Sequence, residues 1–160
     1  MTPEETSTAL IAKSESFWRR GIEAYQGSHA FSGPQLDAAA NRLYYAAFLS
    51  ICAYAHKFRR MVVDSDNPDA HMIAKGLLQT FAHDDSNFSP FVGPYGKLKE
   101  ARRVGDYEDV RVTSNHLDEN SIIKPVNSMR CKFIDAARQT SDPYENIEFD
   151  IQKIFTSCQD

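Results

Sequence analysis

Between Leu36 and Phe58 the chain is apolar on almost every side of a helix. Leu36, Ala40, Leu43, Ala47, Ile51, Tyr54 and Phe58 follow one another in steps of three and four, as one helix face requires. Ala39, Tyr45, Phe48, Leu49 and Cys52 cover much of the remaining circumference. A helix with so little polar surface has to stand at the centre of a bundle, so other helices must surround it. His56-Lys57-Phe58-Arg59-Arg60 closes the row, and cations suit the last turn of a helix. Arg42, Tyr44 and Tyr45 interrupt an otherwise greasy stretch. A guanidinium there needs an acid and further acceptors to offset its desolvation.

The flanking segments read as helices with punctuation between them. Thr2-Pro3 with Glu5 forms an N-cap, a first-turn proline and a capping-box acid. Leu10, Phe17, Trp18, Ile22 and Tyr25 then follow helical spacing, with Ser14 breaking the stripe, so only partial burial is expected there. Gly27 to Gly33 reads as a connection and Pro34 as a new helix start. Asp64 to Asn67 reads as a loop, with Asn67 as N-cap and Pro68 at the first helical position. Ile73, Leu77 and Phe81 mark a short third helix, and His83 to Pro90 a turn. Gly93-Pro94 is expected to start a fourth helix and Gly105 to end it as a left-handed residue. A fifth helix is expected from about Ser114, carrying Ile122, Val126, Met129, Phe133 and Ala137, with a kink at Pro125. Asp142-Pro143-Tyr144-Glu145 reads as another cap, followed by Ile147, Ile151 and Ile154 on a final helix. Ile147 to Ile151 also alternates like a strand, so residues 147–155 are open between the two. These elements imply a single all-α domain of five or six helices over residues 1–160.

Leu43 to Ala55 is too short and too polar at its edges to cross a membrane. MTPEETSTAL carries no basic segment ahead of an apolar one, so no secretory signal is expected. The Asn87-Phe88-Ser89 sequon then carries no weight. The three cysteines Cys52, Cys131 and Cys158 lie far apart, which favours a reducing cytoplasm over a disulfide framework or a zinc site. A net charge of −4 argues against general nucleic-acid affinity but leaves room for a local basic patch.

Several chemistries lack their residues. Di-iron bundles need Glu-x-x-His pairs, and the chain has none. Gly93-Pro94-Tyr95-Gly96-Lys97 has neither the glycine spacing nor the hydroxyl residue of a phosphate loop. No Gly-x-Ser-x-Gly elbow occurs. No metal or other cofactor is therefore expected. Lys97-Leu98-Lys99-Glu100-Ala101-Arg102-Arg103 is the basic stretch. On a helix Lys99, Arg102 and Arg103 share one side, either as a phosphate-binding face or as a solvated one, and Asp106, Glu108 and Asp109 follow at once.

Two stretches together resemble known signatures. Residues 41–55, NRLYYAAFLSICAYA, resemble the N-R-x-Y-Y-A-x-F signature of HEPN-domain proteins. Residues 102–109, RRVGDYED, resemble the R-x-x-A-D-Y-x-D signature of one HEPN branch. Between them Ala70 to Leu78, with His71, is similar to that branch's S-H-K-G-V-I segment. Val112-Thr113 fits the start of its last long helix. The resemblance spans about residues 10–140, leaving 141–160 as a C-terminal extension expected to be helical.

The resemblance implies an up-and-down helical bundle, often a homodimer, with roles in RNA cleavage, nucleotide binding, toxin–antitoxin pairs and defence. HEPN RNases use Arg-x(4–6)-His across a dimer cleft, and some are modified on a tyrosine by a partner nucleotidyltransferase. Here Asp106-Tyr107 stands where that histidine belongs. Arg111 to His116 matches Arg-x4-His literally, outside the expected helix. The resemblance therefore implies a non-catalytic module that binds RNA, a nucleotide or a protein partner. The alternatives are a metal-independent RNase using Arg102, Arg103, Tyr107, Arg111 or His116, and an adaptor homodimer. An Arg42–Asp106 ion pair is expected to fix the crossing of the second and fourth helices, with Tyr45 and Tyr107 in the core and their hydroxyls at the rim. The competing expectation is a cleft in which Arg42, Lys99, Arg102, Arg103 and Tyr107 bind phosphate. His71 is expected to pack or to hydrogen-bond at a helix start.

Overall fold

Thr2 Oγ1 accepts the Glu5 backbone N–H at 3.1 Å while Glu5 Oε2 accepts that of Thr2 at 2.7 Å, so the expected capping box opens α1 (Pro3–Gly27). The computed structural model describes residues 1–28, 33–59, 61, 68–107 and 111–147. It continues with α2 (Pro34–Arg59), α3 (Pro68–Asp84), α4 (Ser89–Tyr107) and α5 (Lys124–Ala137). A 3-10 turn at Ser114–Leu117 and a π turn at Glu119–Ile123 lead into α5. The chain is an all-α bundle, and no helix among the described residues is long and apolar enough to cross a membrane.

α2 is the central helix, with every residue from Ala46 to Ala55 buried. α1 lies antiparallel to it along a seam of small residues. Ser7, Ser14 and Gly21 stand one heptad apart and meet α2 in reverse order. Ser7 Oγ donates to the Ala53 carbonyl at 2.8 Å, and Ser14 Oγ to the Ala46 carbonyl at 2.7 Å. A Cβ added to Gly21 would sit 2.7 Å from Leu43 Cδ2 and 3.1 Å from the Leu43 backbone nitrogen. Ser14 is thus wholly buried, against the expectation that it marks a partly exposed face. A small side chain that hands its one donor to a helix carbonyl costs little to bury, and its size lets the helices close up.

Contacts fix the directions of the other helices. Tyr44 and Phe48 of α2 touch His71 near the start of α3, and Tyr54 touches Phe81 near its end, so α2 and α3 run the same way. α4 runs against both: Asn41 bonds Asp106, Tyr45 bonds Arg102, and Tyr44 packs on Tyr95. α5 runs with α2 and against α1, on whose Trp18 ring Arg130 stacks at 5.1 Å. Alternation of direction, as an up-and-down bundle has it, therefore holds between α1 and α2, α3 and α4, and α4 and α5, but not between α2 and α3.

Three boundaries differ from expectation. α4 starts at Ser89, not at Gly93-Pro94, because Phe91, Tyr95 and Leu98 form one buried stripe that carries the helix through Pro94. Gly93 has no Cβ to clash with the proline ring. Gly105 lies inside α4 and has no positive φ; it is small because a Cβ would sit 3.1 Å from Val112 Cγ2 and 3.4 Å from Asp37 Cα. Pro125 falls in the first turn of α5, where a missing N–H is harmless, and the π turn just before it replaces the expected kink.

The lower end of the bundle holds the chain after α5. Tyr54, Phe81, Phe88, Phe133 and Tyr144 form an aromatic cluster with centroids 5.2–5.7 Å apart. Arg59 binds Asp142 at 3.3 Å and donates to the Tyr144 carbonyl at 2.8 Å. Lys57 donates to the carbonyls of Ala137 and Gln139 at the end of α5. Asp142 accepts the Tyr144 N–H, as its cap reading requires, but residues 143–146 form a turn. The choice of helix or strand for 147–155 falls almost wholly outside the described residues.

The seam gives a direct test. Ser14→Ala should leave stability within about 1 kcal/mol, since the Ala46 carbonyl keeps its helical partner. Ser14→Leu should lower it by about 1–3 kcal/mol through overpacking. Urea denaturation of the two variants reads the difference.

Candidate functional site

Asn41 and Tyr45 lie one turn apart on the face of α2 that meets α4, and Tyr44 lies beside them facing α3. Opposite them, α4 presents Arg102 and Asp106, also one turn apart. Asn41 Nδ2 donates to Asp106 Oδ2 at 3.1 Å. Arg102 Nη2 donates to the Tyr45 hydroxyl at 3.0 Å and more loosely to that of Tyr107 at 3.5 Å. Arg102 Nε lies 3.0 Å from Asp106 Oδ2 but off the line of its N–H, so this contact is mainly Coulombic. The guanidinium carbon sits 5.3–5.5 Å from the ring centres of Tyr44, Tyr45 and Tyr107. Burial pulls the Arg102 pKa down, but Tyr45, Tyr107 and Asp106 together push it above the ordinary value. Arg102 is thus a fixed cation, walled by phenols.

The expected Arg42–Asp106 pair does not form. Asp106 is occupied by Arg102 and Asn41. Arg42 follows Asn41 by one residue and so points about 100° away around α2. It borders a shallow surface depression with Arg20 and Glu23 of α1, and makes no hydrogen bond or ion pair among the described residues. Tyr45 is half-buried with its hydroxyl on Arg102, whereas Tyr107 is 70% exposed and is no core residue. It is the last residue of α4, with the Arg102 guanidinium 5.4 Å from its ring centre.

His71 comes from the first turns of α3. Its ring stacks on Phe48 with centroids 4.2 Å apart, and its Nδ1 lies 2.7 Å from the Tyr44 hydroxyl. Burial pushes the Tyr44 pKa up to about 12, so the phenol keeps its proton. Nδ1 is the acceptor within reach, which leaves the neutral imidazole protonated on Nε2. Burial, then the charges of Arg102 and Lys99, hold the His71 pKa below its ordinary value. Behind Tyr44, the Tyr95 hydroxyl is wholly buried and interacts with the Tyr44 hydroxyl, and burial pushes its pKa well up.

Next to this cluster a cleft of about 350 Å³ runs between α3 and α4. Lys75, Lys99, Arg102 and Arg103 line it, over an apolar floor that includes Leu78 and Val92. Glu100 also lines it, but its carboxylate is drawn onto Arg103, 3.0 and 3.1 Å from Nε, which holds the Glu100 pKa low. The basic stretch of α4 therefore faces a concavity rather than a flat solvated face.

Arg111 and His116 are engaged separately. Arg111 Nη1 binds Asp37 Oδ2 at 2.7 Å, while the other oxygen of Asp37 accepts the Val112 N–H at 2.9 Å. His116 Nδ1 accepts the Thr113 N–H at 2.9 Å and closes the 3-10 turn. Each fastens the connection between α4 and α5. Among the described residues no group of three or more His, Cys, Asp or Glu side chains could hold a metal. Cys52 is a buried free thiol and Cys131 an exposed one.

Sequence reasoning places Lys99, Arg102 and Arg103 together and misses Asn41, Tyr44 and Lys75. Asn41 is visible as the partner one turn before Tyr45, and Lys75 as the cation one turn after His71. No protein-family model, no curated protein and no solved structure matches this chain.

The exchanged roles of Asn41 and Arg42 are measurable. Asn41→Ala should cost about 1 kcal/mol, because Asp106 loses a donor across the helices. Arg42→Ala should stay within about 0.5 kcal/mol of wild type. Thermal unfolding followed by circular dichroism decides between them.

Proposed function

We propose that this chain is a HEPN-like helical module that binds a phosphate-bearing ligand, an RNA strand or a nucleotide, in the α3–α4 cleft. The observation that carries this reading is four cations lining one concavity of about 350 Å³ in a protein whose net charge is −4. Against these four cations the cleft lining holds one carboxylate, Glu100, so the wall keeps a net positive charge that an anionic ligand complements. The apolar floor beside them suits a base or a ribose. Binding rather than cleavage is favoured because Arg102 is already bonded to Tyr45 and set against Asp106. A role beside a nucleotidyltransferase in a toxin–antitoxin or defence system, and a homodimeric state, extend this proposal from the sequence resemblance alone.

A second reading, a metal-independent endoribonuclease, is supported by one observation. The fold brings the imidazole of His71 to the same pair of tyrosines that holds Arg102. That supplies in space an arginine–histidine pairing the sequence lacks in its usual order.

Fluorescence anisotropy with a labelled single-stranded RNA tests the binding reading. Lys99→Ala/Arg103→Ala should weaken binding at least tenfold. It should also lower the slope of log affinity against log salt by about 0.7 for each phosphate that the variant leaves unneutralised. Unchanged affinity and slope would remove the cleft from consideration. Incubating wild type and His71→Ala with RNA in EDTA separates the readings: cleavage by wild type that is absent in the variant favours the nuclease.

A further inference from the structure

We propose that His71 is the proton-coupled neighbour of the anion site, so that the protein takes up a proton on this imidazole when a phosphate-type anion binds in the cleft. The inference rests on the cleft reading above and adds the residue that makes the site pH-dependent.

Among the described residues His71 hydrogen-bonds a phenol and no carboxylate. From α2 come the phenols Tyr44 and Tyr45 and the ring of Phe48. From α4 come the cations Lys99 and Arg102, with the Tyr95 phenol behind Tyr44. On α3 itself the cation Lys75 lies one turn on, and the exposed Asp69 lies two residues before. Asp106, the carboxylate that serves Arg102, is bound to it and to Asn41. Burial, then the charges of Arg102 and Lys99, hold the imidazole pKa below the ordinary value in the empty site and so favour the neutral ring. Its Nε2 makes no hydrogen bond among the described residues, and its Nδ1 is held by Tyr44.

An anion in the cleft reverses this balance. It cancels the field that Lys99 and Arg102, both on the cleft wall, exert on His71 across the shared Tyr44 and Tyr45 rings, and that favours imidazolium. Protonation places a hydrogen on Nδ1 as well, so the Tyr44 hydroxyl must become an acceptor there and turn its own proton elsewhere. The buried Tyr95 hydroxyl, which lies against that of Tyr44, provides the oxygen that accepts it. The three groups Tyr95, Tyr44 and His71 can thus satisfy both protonation states without moving a helix.

The sign is fixed by linkage. The pKa is low in the free protein and rises on binding, so affinity increases as pH falls through the interval between the two values. A rise of one unit makes the ligand bind about tenfold tighter on the acid side. The probes are inorganic sulfate and a dinucleoside monophosphate, neither of whose anionic groups titrates between pH 5 and 8. Calorimetry of each probe in two buffers of different ionisation heat counts the protons taken up, and NMR of the His71 ring reads its pKa with and without sulfate. Wild type should take up a fraction of one proton per anion and show a raised His71 pKa. His71→Gln, which removes the titrating ring and keeps a polar side chain, should still bind above pH 8 but take up no proton and lose the acid-side gain. Binding without proton uptake, or equal uptake in His71→Gln, overturns the inference and leaves the cleft reading intact. Failure of either probe to bind wild type at any pH overturns both.

Discussion

Close approach of α1 to α2 is the constraint on which the rest of the molecule depends. Ser7, Ser14 and Gly21 have no bulk, so α1 can lie against Ala53, Ala46 and the backbone of Leu43. That contact uses the thin side of α2 and leaves its large side chains for the other partners. Tyr44 and Phe48 project toward α3, Tyr45 toward α4, and Tyr54 toward the lower aromatic cluster. A bulkier seam would push α1 outward and open the far side of α2 to water. The helix then could not bury ten successive residues from Ala46 to Ala55.

Charges near such a helix are tolerated only in particular forms. Arg102 is acceptable because its guanidinium has ring faces around it and a carboxylate at 3.0 Å, and most of its side chain is shielded while one edge reaches the cleft. His71 is acceptable because burial and the neighbouring cations hold its pKa below the ordinary value, which favours the neutral ring. The two solutions are linked: a permanent cation next to an imidazole keeps that imidazole uncharged. Arg59 and Lys57 solve the same problem at the other end of α2 by binding Asp142 and backbone carbonyls.

What the sequence makes legible follows the same physics. The helices can be read because periodicity and caps are local: Thr2-Glu5 and Pro34 each sit where the pattern places them. Gly105 and Ser14 escape such a reading because a local rule assigns glycine to a helix end and serine to an exposed face, whereas here both serve close approach to another helix. Arg42 escapes it for a related reason. Charge complementarity names Asp106 correctly as a partner in a cross-helix bond, but the rotation of α2 gives that bond to Asn41. The cations of α4 are legible as a cluster. The concavity in front of them is not, since it depends on how α3 lies against α4, and nothing local in α2 or α3 dictates that these two run in the same direction.

Trp18 is the chain's one tryptophan, and its ring lies under the Arg130 guanidinium where α1 meets α5. It shares no residue with the α3–α4 cleft. Emission excited selectively at the tryptophan, apart from the seven tyrosines, therefore reports on the seating of α5 against α1. A cation pressed against the indole face gives way to water only when that seating is lost, so the signal follows closure of the bundle and is silent about occupancy of the cleft.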